Sequence, residues 1–199
     1  MSTSFATSRS SSVQRGRLIT AARTTFTAHG YHGTTMDTVS AVADVTKPVL
    51  YRHFSTKSEL YLAVILEYLD DVTDRLRNAH DAATSDVDQV RHCVTVLFDL
   101  VESGPHSTSE LVFGAGAVGD HTVESRIARA LADFVDTLAT HLHPHVNRSQ
   151  RTRLLAAGLI GATLAAAHEW HRLRQPISRQ AALDTLAAWY CSRLRDSGD

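Results

Sequence analysis

The stretch from Thr34 to Lys57 constrains the fold of this chain more than any other, because two short predicted helices lie in it on either side of a tight turn. Thr35 is suited to cap the first helix, since a threonine side-chain oxygen can accept a hydrogen bond from a free amide of the first turn. Met36 and Val39 form the apolar side of this helix, which should end near Asp44. The stretch therefore predicts a short helix that is followed at once by a turn.

A second helix is predicted to begin at Lys47, directly after a capping residue, Thr46. Pro48 fits the first turn of this helix, where a backbone N–H would have no helical partner. Leu50 and Phe54 point to the same side at helical spacing and are predicted to enter the core. Two helices joined by so short a turn predict a helix-turn-helix, whose second helix can lie in the DNA major groove.

The opposite side of the second helix carries residues that suit DNA. Arg52 can bond a guanine edge or a phosphate, and Pro48 and Val49 can contact a thymine methyl group. Three further side chains are suited to donate hydrogen bonds to phosphate oxygens, namely Thr46, Lys47 and Tyr51.

The segment LYRHFSTKSEL, residues 50–60, closely resembles the most characteristic segment of the tetracycline-repressor (TetR) family. Gly30, Tyr31, Thr34 and Thr35 also match the pattern of that family's amino-terminal domain, so the motifs cover about the first third of the chain. The resemblance implies an all-helical, homodimeric transcription regulator, most often a repressor, with a ligand-responsive carboxy-terminal domain. The family usually has glycine where this chain has Asp44, but aspartate tolerates a left-handed backbone, so we expect the turn to form with some strain.

The resemblance also implies how such a protein works. A small molecule enters the body and tilts the helix that starts at Ser58, and the change releases a pseudo-palindromic operator from the two heads. His53 matches a position that contacts phosphate in the family, although partial burial in the core is an equally good interpretation. The complete set of predicted DNA-binding residues is Thr35, Thr46, Lys47, Pro48, Val49, Tyr51, Arg52, His53 and Lys57.

The charge distribution agrees with a DNA-binding head. The chain of 199 residues has a net charge of −1, yet the residues up to Lys57 include seven basic and two acidic side chains, while the remainder has 13 basic and 19 acidic ones. A basic head on an acidic body favours a head that meets phosphate, although chance partition would explain it equally well. Two cysteines predict no disulfide framework. With neither a signal peptide nor a long apolar run, we expect a cytoplasmic protein.

The apolar periodicity predicts the all-α class throughout, with a three-helix head and a helical body. Residues 1–12 are predicted to be a disordered arm, residues 13–57 the helix-turn-helix domain, and residues 58–199 the domain for effector binding and dimerisation. The first helix should run from Val13 or Gln14 to His29 and stop at Gly30. The later helices are predicted at 58 to about 80, 87–103, 107 to about 117, 121–142, 149–173 and 178–196.

The helix predicted over 149–173 is apolar on nearly every side through the segment LLAAGLIGATLAAA. A helix that is apolar all round is buried all round. Burial by its own domain on one side and by a second subunit on another is the simplest explanation. We therefore predict a homodimer through 149–173 and 178–196, which are also the helices that form the dimer interface in TetR-like proteins.

The effector is predicted to be a small molecule that binds inside the helical body, although the sequence does not identify it. Pockets between helices are mostly apolar with a few polar groups that fix the ligand. The residues selected on this basis are Phe98, Phe113, Phe134, His168 and Trp170. Large apolar residues of this kind are core residues by default.

The twelve histidines suggest an alternative, a metal-sensing regulator or a helical small-molecule-binding protein that does not bind DNA. His141, His143 and His145 surround a predicted turn, and His168 and His171 share a helix face beside Glu169. Spacing alone does not show the convergence of three or four ligands that zinc requires, so we predict no metal and no cofactor. The chain also lacks the GxSxG, Walker and GxGxxG motifs, and GAGAVG from Gly114 follows no strand, so no enzyme is predicted.

Overall fold

The structure is a computed structural model that describes residues 3–102, 108–113, 118–142 and 150–195. Every regular element in these ranges is an α-helix, which confirms the all-α prediction. The helices are α1 (Thr3–Gly33), α2 (Met36–Val42), α3 (Lys47–His53), α4 (Lys57–Asp81), α5 (Asp86–Glu102), α6 (Thr108–Phe113), α7 (His121–Leu142), α8 (Gln150–Arg172) and α9 (Arg179–Arg195). The predicted bounds of α7 are confirmed, and those of α8 differ by one residue at each end.

The first helix is longer than the sequence predicted. It begins at Thr3, whereas the sequence predicted a start at Val13 or Gln14 after an arm of residues 1–12. No proline or glycine interrupts these residues, and each residue added to an existing helix gains a backbone hydrogen bond. The predicted stop at Gly30 is present as a break in the helical backbone, with φ 68° and ψ 175°.

The chain divides into two compact units. Unit 1 comprises Met1–Tyr68 and Thr108–Arg129, and unit 2 comprises Leu69–Ser107 and Ala130–Asp199. Unit 1 therefore continues beyond residue 57, where the sequence analysis placed the end of the helix-turn-helix domain. The physical reason lies in the start of α4, where Tyr61 is buried with its ring centroid 5.0 Å from that of Phe26 on α1.

The core of unit 1 joins the first turns of α4 to the helix-turn-helix. Phe26, Leu50 and Phe54 are each at most 1% exposed. Further buried residues of this core are Leu18, Ile19, Ala22, Val39, Leu60, Val64 and Ile65. Burial of an apolar side chain of this size contributes about 1.5–3 kcal/mol, so these contacts hold the two short helices in place.

The core of unit 2 forms where α5 packs on α8 and α9. Its fully buried residues include Leu76, Val94, Leu97, Phe98, Leu138 and Leu159. Half-exposed ion pairs border this core, with Asp99 bound by Arg75 and Arg179, and Asp184 bound by Arg91. No helix in the described part of the chain has the length and apolar content that a bilayer crossing requires.

Candidate nucleic-acid interface

The first helix of the helix-turn-helix, α2, begins with the predicted cap. The amide of Thr38 donates to Oγ1 of Thr35 over 3.1 Å, and the backbone of Thr35 is extended. Asp37 lies in the first turn, where its charge favours the positive end of the helix dipole. The same carboxylate forms an ion pair with Lys47 over 2.7 Å, which joins the start of α2 to the start of α3.

The turn between α2 and α3 contains the predicted left-handed residue. Asp44 has φ 53°, and the amide of Val45 donates to the carbonyl of Ser40 over 3.0 Å. This geometry terminates α2 and satisfies one of its free carbonyl groups. The turn therefore forms with aspartate in the conformation that glycine adopts without strain.

The second helix, α3, begins at Lys47 as predicted. Thr46 occupies the capping position through its backbone, since the amides of Val49 and Leu50 donate to its carbonyl, but its side chain makes no capping hydrogen bond. Leu50 is fully buried, which confirms its predicted place in the core. The Thr46 side chain is exposed and does not cap the helix.

The outer side of α3 is exposed along its whole length. Tyr51 is 47% exposed, and Arg52 is exposed beside it. Lys47 and Pro48 are also exposed at the start of the helix, while Val49 is half-buried at the flank. The structure thus brings six of the nine predicted DNA-binding residues, from Thr46 to Arg52, onto one side of the helix-turn-helix.

The end of α3 rests against α1, which the sequence analysis did not predict. Nε2 of His53 lies 3.4 Å from Oε1 of Gln14, and His53 is half-buried. The guanidinium of Arg15 lies 5.0 Å from the ring centroid of Phe54, within the range of a cation–π interaction. No local pattern in the sequence relates residues 39 positions apart, so only the fold reveals this support.

The ammonium group of Lys57 is directed into unit 1. Its Nζ donates to the carbonyls of Tyr31 and Thr34 over 2.9 and 3.0 Å and lies 4.4 Å from the ring centroid of Tyr31. These bonds connect α4 to the residues directly before α2. A lysine ammonium has three N–H donors, so one donor is left beyond these two bonds.

The comparisons with known proteins agree with this geometry. Residues 18–64 match the model of the family described as "Bacterial regulatory proteins, tetR family". The HTH-type transcriptional activator FasR of Mycolicibacterium smegmatis is 30% identical over 176 residues, which span 86% of this chain and 78% of FasR. This chain belongs to the TetR family. It is a DNA-binding transcriptional regulator of that family.

Solved structures resemble most of the chain in fold. FadR from Bacillus subtilis, solved in complex with stearoyl-CoA, has a TM-score of 0.72 at 14% identity and covers 87% of this chain and 96% of its own. AibR, solved in complex with isovaleryl coenzyme A and operator DNA, has a TM-score of 0.65 at 22% identity and covers 88% of this chain and 96% of its own. At these identities the resemblance is one of fold.

The residues that the sequence analysis selected for the TetR-family effector site are only partly brought together. Phe98 and Trp170 are buried in unit 2, with ring centroids 5.3 Å apart, and Phe134 is also buried. His168 is exposed, and its Nδ1 lies 2.8 Å from the carbonyl of Leu164 on its own helix. Phe113 lies in unit 1 and is half-buried.

A groove that the sequence analysis missed lies between α7 and α8 in unit 2. Its volume is about 520 Å³. Its walls are mainly apolar, with Arg153 and Gln150 as the polar members and Leu131, Ala132, Val135, Leu154 and Ala157 as the others. The apolar character of α8 on every side was the available signal, but periodicity does not show which neighbouring helix completes a groove.

The structure describes only some of the histidines in the two clusters that the sequence analysis named. Within the described ranges, no three histidine, cysteine or acidic side chains are arranged to hold a metal ion. His141 stacks edge-on against His80 with centroids 5.0 Å apart, whereas His143 and His145 lie outside the described residues.

Burial raises the pKa of the Cys93 thiol to about 12, so this side chain remains a neutral core residue at physiological pH.

Proposed function

We propose that this TetR-family regulator binds a pseudo-palindromic operator as a homodimer and that an acyl-coenzyme A thioester is its effector. The observation that carries the DNA-binding part is the exposed outer side of α3, which presents Tyr51 and Arg52 while Leu50 and Phe54 anchor the opposite side in the core. A helix held in this way can enter the major groove without losing its own packing.

The proposed contacts follow from the chemistry of each exposed group. Arg52 bonds a guanine edge or a phosphate, and Pro48 and Val49 contact a thymine methyl group. The hydroxyls of Thr46 and Tyr51 donate to phosphate oxygens, since neither is needed to cap α3. The remaining proposed phosphate contacts are Lys47, His53 and Thr35.

Lys57 has a different proposed role. Its two hydrogen bonds inside unit 1 make it a structural support for α2, and at most its third N–H reaches a phosphate. Lys47 is also paired, but its partner Asp37 is exposed, so phosphate can compete for the ammonium group in water.

The proposed dimer interface is the exposed side of α8 together with α9. Leu154 is 74% exposed at the start of α8, and the small residues Gly158, Gly161 and Ala165 follow on the same exposed side. A Cβ added at Gly161 would meet no atom within 4 Å, so nothing in one protomer requires a glycine there. Glycine inside a helix costs about 0.5–1 kcal/mol relative to alanine, and close approach of a second helix offsets that cost.

A second exposed apolar residue supports the same interface. Trp189 on α9, the other helix of the proposed interface, is 49% exposed, and a second copy of the chain would remove its apolar surface from water. The groove between α7 and α8 continues this surface, because Leu154 and Ala157 line the groove and also lie on the exposed side of α8. A second copy of the chain is therefore the proposed occupant of this side of α8.

The proposed effector class rests on the relatives. FadR was solved with stearoyl-CoA and AibR with isovaleryl coenzyme A. We propose that the acyl chain binds in unit 2 near Phe98, Phe134 and Trp170. The rings of Phe98 and Trp170 touch in the present conformation, so the ligand must bind better to a conformation in which they separate, and that differential affinity drives the response.

The direction of regulation is proposed to be repression with release by the effector, as the sequence analysis expected. FasR, the relative at 30% identity, is an activator. A reporter gene behind the operator therefore distinguishes the two directions, because repression requires higher expression when the regulator is deleted. Such a regulator would act in the bacterial cytoplasm, where the chromosome lies.

A titration of the purified protein against fragments of genomic DNA, including the DNA that flanks its own gene, tests the proposal. We expect one salt-sensitive complex that survives non-specific competitor DNA, since phosphate contacts release counterions. Stearoyl-CoA or isovaleryl-CoA should weaken that complex, whereas coenzyme A alone should not. Absence of a specific complex on any fragment would refute the DNA-binding part, and a complex insensitive to both thioesters would refute the proposed effector class.

A further inference from the structure

We propose that the hydrogen bond between Ser58 and Asp120 is a positioning contact, which fixes the helix-turn-helix against the start of α7 and thereby sets the affinity for DNA. The inference rests on the proposed operator binding and adds to it two residues that do not touch DNA. Both residues belong to unit 1.

The contact joins two helix starts that are 62 positions apart in the sequence. Oγ of Ser58 donates to Oδ2 of Asp120 over 3.1 Å. Ser58 lies at the start of α4 and is only 8% exposed, whereas Asp120 directly precedes α7. A hydroxyl that donates to a carboxylate makes one of the stronger uncharged-to-charged hydrogen bonds.

The caps of the two helices use other oxygen atoms than the two in this contact. The cap of α4 is Thr56, whose Oγ1 accepts from the amide of Glu59 over 3.0 Å. The other oxygen of Asp120, Oδ1, accepts from the amides of Thr122 and Val123 and so caps α7. The Ser58 hydroxyl also lies 3.1 Å from Oγ1 of Thr56, and because its own proton goes to Asp120, it accepts from Thr56. The proton of Ser58 and Oδ2 of Asp120 therefore join the two helices.

The residue beside Ser58 connects the same turn of α4 to the helix-turn-helix. Lys57 donates to the carbonyls of Tyr31 and Thr34, and Thr34 directly precedes the cap of α2. Thr34 is itself held, since its hydroxyl donates to the carbonyl of Gly30 over 2.8 Å. Within one turn of α4, Lys57 thus holds the start of α2 and Ser58 holds the start of α7.

A third contact near this turn completes the junction. The hydroxyl of Tyr61 donates to the carbonyl of Leu111 on α6 over 2.8 Å. Tyr61 is buried, so its ring fixes the rotation of α4 about its axis. Because this rotation is fixed, a substitution at Asp120 can alter the position of α2 through α4. The Ser58 hydroxyl is the part of this connection that can be removed without loss of apolar packing.

The test measures operator affinity and backbone protection for Ser58→Ala, Asp120→Asn and the double variant. Alanine favours helix, and asparagine retains the cap of α7, so both single variants keep the local structure. We expect each single variant to bind the operator about 3- to 10-fold more weakly, in the range of residues that couple without touching a ligand. Asparagine replaces the charged acceptor Oδ2 by an amide nitrogen, which loses the charge-assisted bond. The double variant should be no weaker than Ser58→Ala, because without the Ser58 hydroxyl the residue at position 120 has no partner on α4.

A matched control exists in unit 2. The hydroxyl of Thr84 donates to Asp88 over 2.5 Å at the start of α5, so Thr84→Ala removes the same kind of bond elsewhere. This variant should bind the operator like the wild type. Ser58→Thr restores a hydroxyl and should recover most of the affinity.

Amide hydrogen exchange in the free protein gives a readout that does not need DNA. Ser58→Ala should speed exchange in α2 and α3, and Thr84→Ala should not. Unchanged affinity together with unchanged exchange in Ser58→Ala would overturn the positioning role. Failure of the wild-type protein to bind any DNA fragment would refute the proposed function instead, and the exchange experiment would still decide whether Ser58 holds the helix-turn-helix.

Discussion

The outer side of α3 and the outer side of α8 are both exposed, but their chemistry differs. On α3 the exposed residues are polar, basic or aromatic, with Tyr51 and Arg52 at the centre. On α8 the exposed residues from Leu154 to Ala165 are small or apolar, and Leu154 is the most prominent. Phosphate attracts the first kind of surface, whereas the second gains by removal from water. Exposure alone therefore does not identify a partner, and the type of exposed atom does.

The largest effect is expected from a substitution on the exposed side of α8. Gly161→Arg places a charge on an exposed position with open space around it, so the protomer should fold normally. The dimer should be lost, and operator affinity should fall by about 100-fold or more, because each head then binds without the avidity of its pair. Sedimentation analysis and the DNA titration measure the two effects. Ala82→Arg, another exposed position, is the control, and a dimeric Gly161→Arg protein would contradict the proposed interface.

The next largest effect is expected from substitutions on the outer side of α3. Arg52→Ala should weaken operator binding by about 1–3 kcal/mol, which is roughly 5- to 150-fold, while sedimentation still shows a dimer. Tyr51→Phe should act in the same direction but less, because it removes a single hydroxyl. Arg77→Ala, an exposed arginine on α4 that pairs with Asp74, is the matched control. Loss of the dimer in Arg52→Ala would count against a role confined to DNA.

A third prediction separates support of the DNA-binding surface from contact with DNA. Lys57→Met keeps an aliphatic side chain but removes two charge-assisted hydrogen bonds, so it should lower the free energy of unfolding by about 1–2 kcal/mol. The slope of log affinity against log salt should change by less than one, whereas loss of a phosphate contact lowers it by about one. Thermal unfolding and titrations at several salt concentrations measure both quantities. An unchanged stability with a slope lowered by one would make Lys57 a phosphate contact.

A smaller effect is expected in the turn between α2 and α3. Asp44→Gly should raise the free energy of unfolding by about 0.5–1 kcal/mol, since relief of a left-handed backbone outweighs the extra entropy that glycine loses on folding. Asp44→Val should act in the opposite direction, because a β-branched residue fits this conformation poorly. Denaturant unfolding measures both variants, and a stabilising valine would show that the turn is not left-handed.

The smallest expected effect compares the two units by titration. Burial raises the pKa of Tyr61 in unit 1 and of Tyr190 in unit 2 to about 12. A pKa that is higher in the folded state stabilises the fold below pH 10, and this contribution is lost as the pH rises from 10 through 12. Ultraviolet absorbance should show Tyr61 and Tyr190 ionising well above pH 10, and Tyr61→Phe and Tyr190→Phe should each remove one late-ionising group. Ionisation of all five tyrosines near pH 10 would contradict the burial of both hydroxyls.

Local features of the helix-turn-helix could be predicted because their causes are local. The cap at Thr35, the start of α3 at Lys47 and the left-handed Asp44 each depend on a residue and its nearest neighbours in the chain. Leu50 and Phe54 were predicted to be buried because helical periodicity places both on one side of α3. Two local features differ from the prediction: α1 begins at Thr3 instead of near Val13, and the Thr46 side chain makes no capping hydrogen bond.

The sequence by itself determined the helical class, the helix-turn-helix and the family, since these follow from periodicity, capping and a motif within one continuous stretch. Only the tertiary structure decided which way Lys57 points, where unit 1 ends, and that Ser58 meets Asp120. These facts depend on contacts between residues more than twenty positions apart. Chain neighbours fix the conformation of a backbone turn, but the packing of whole helices fixes which distant side chains meet.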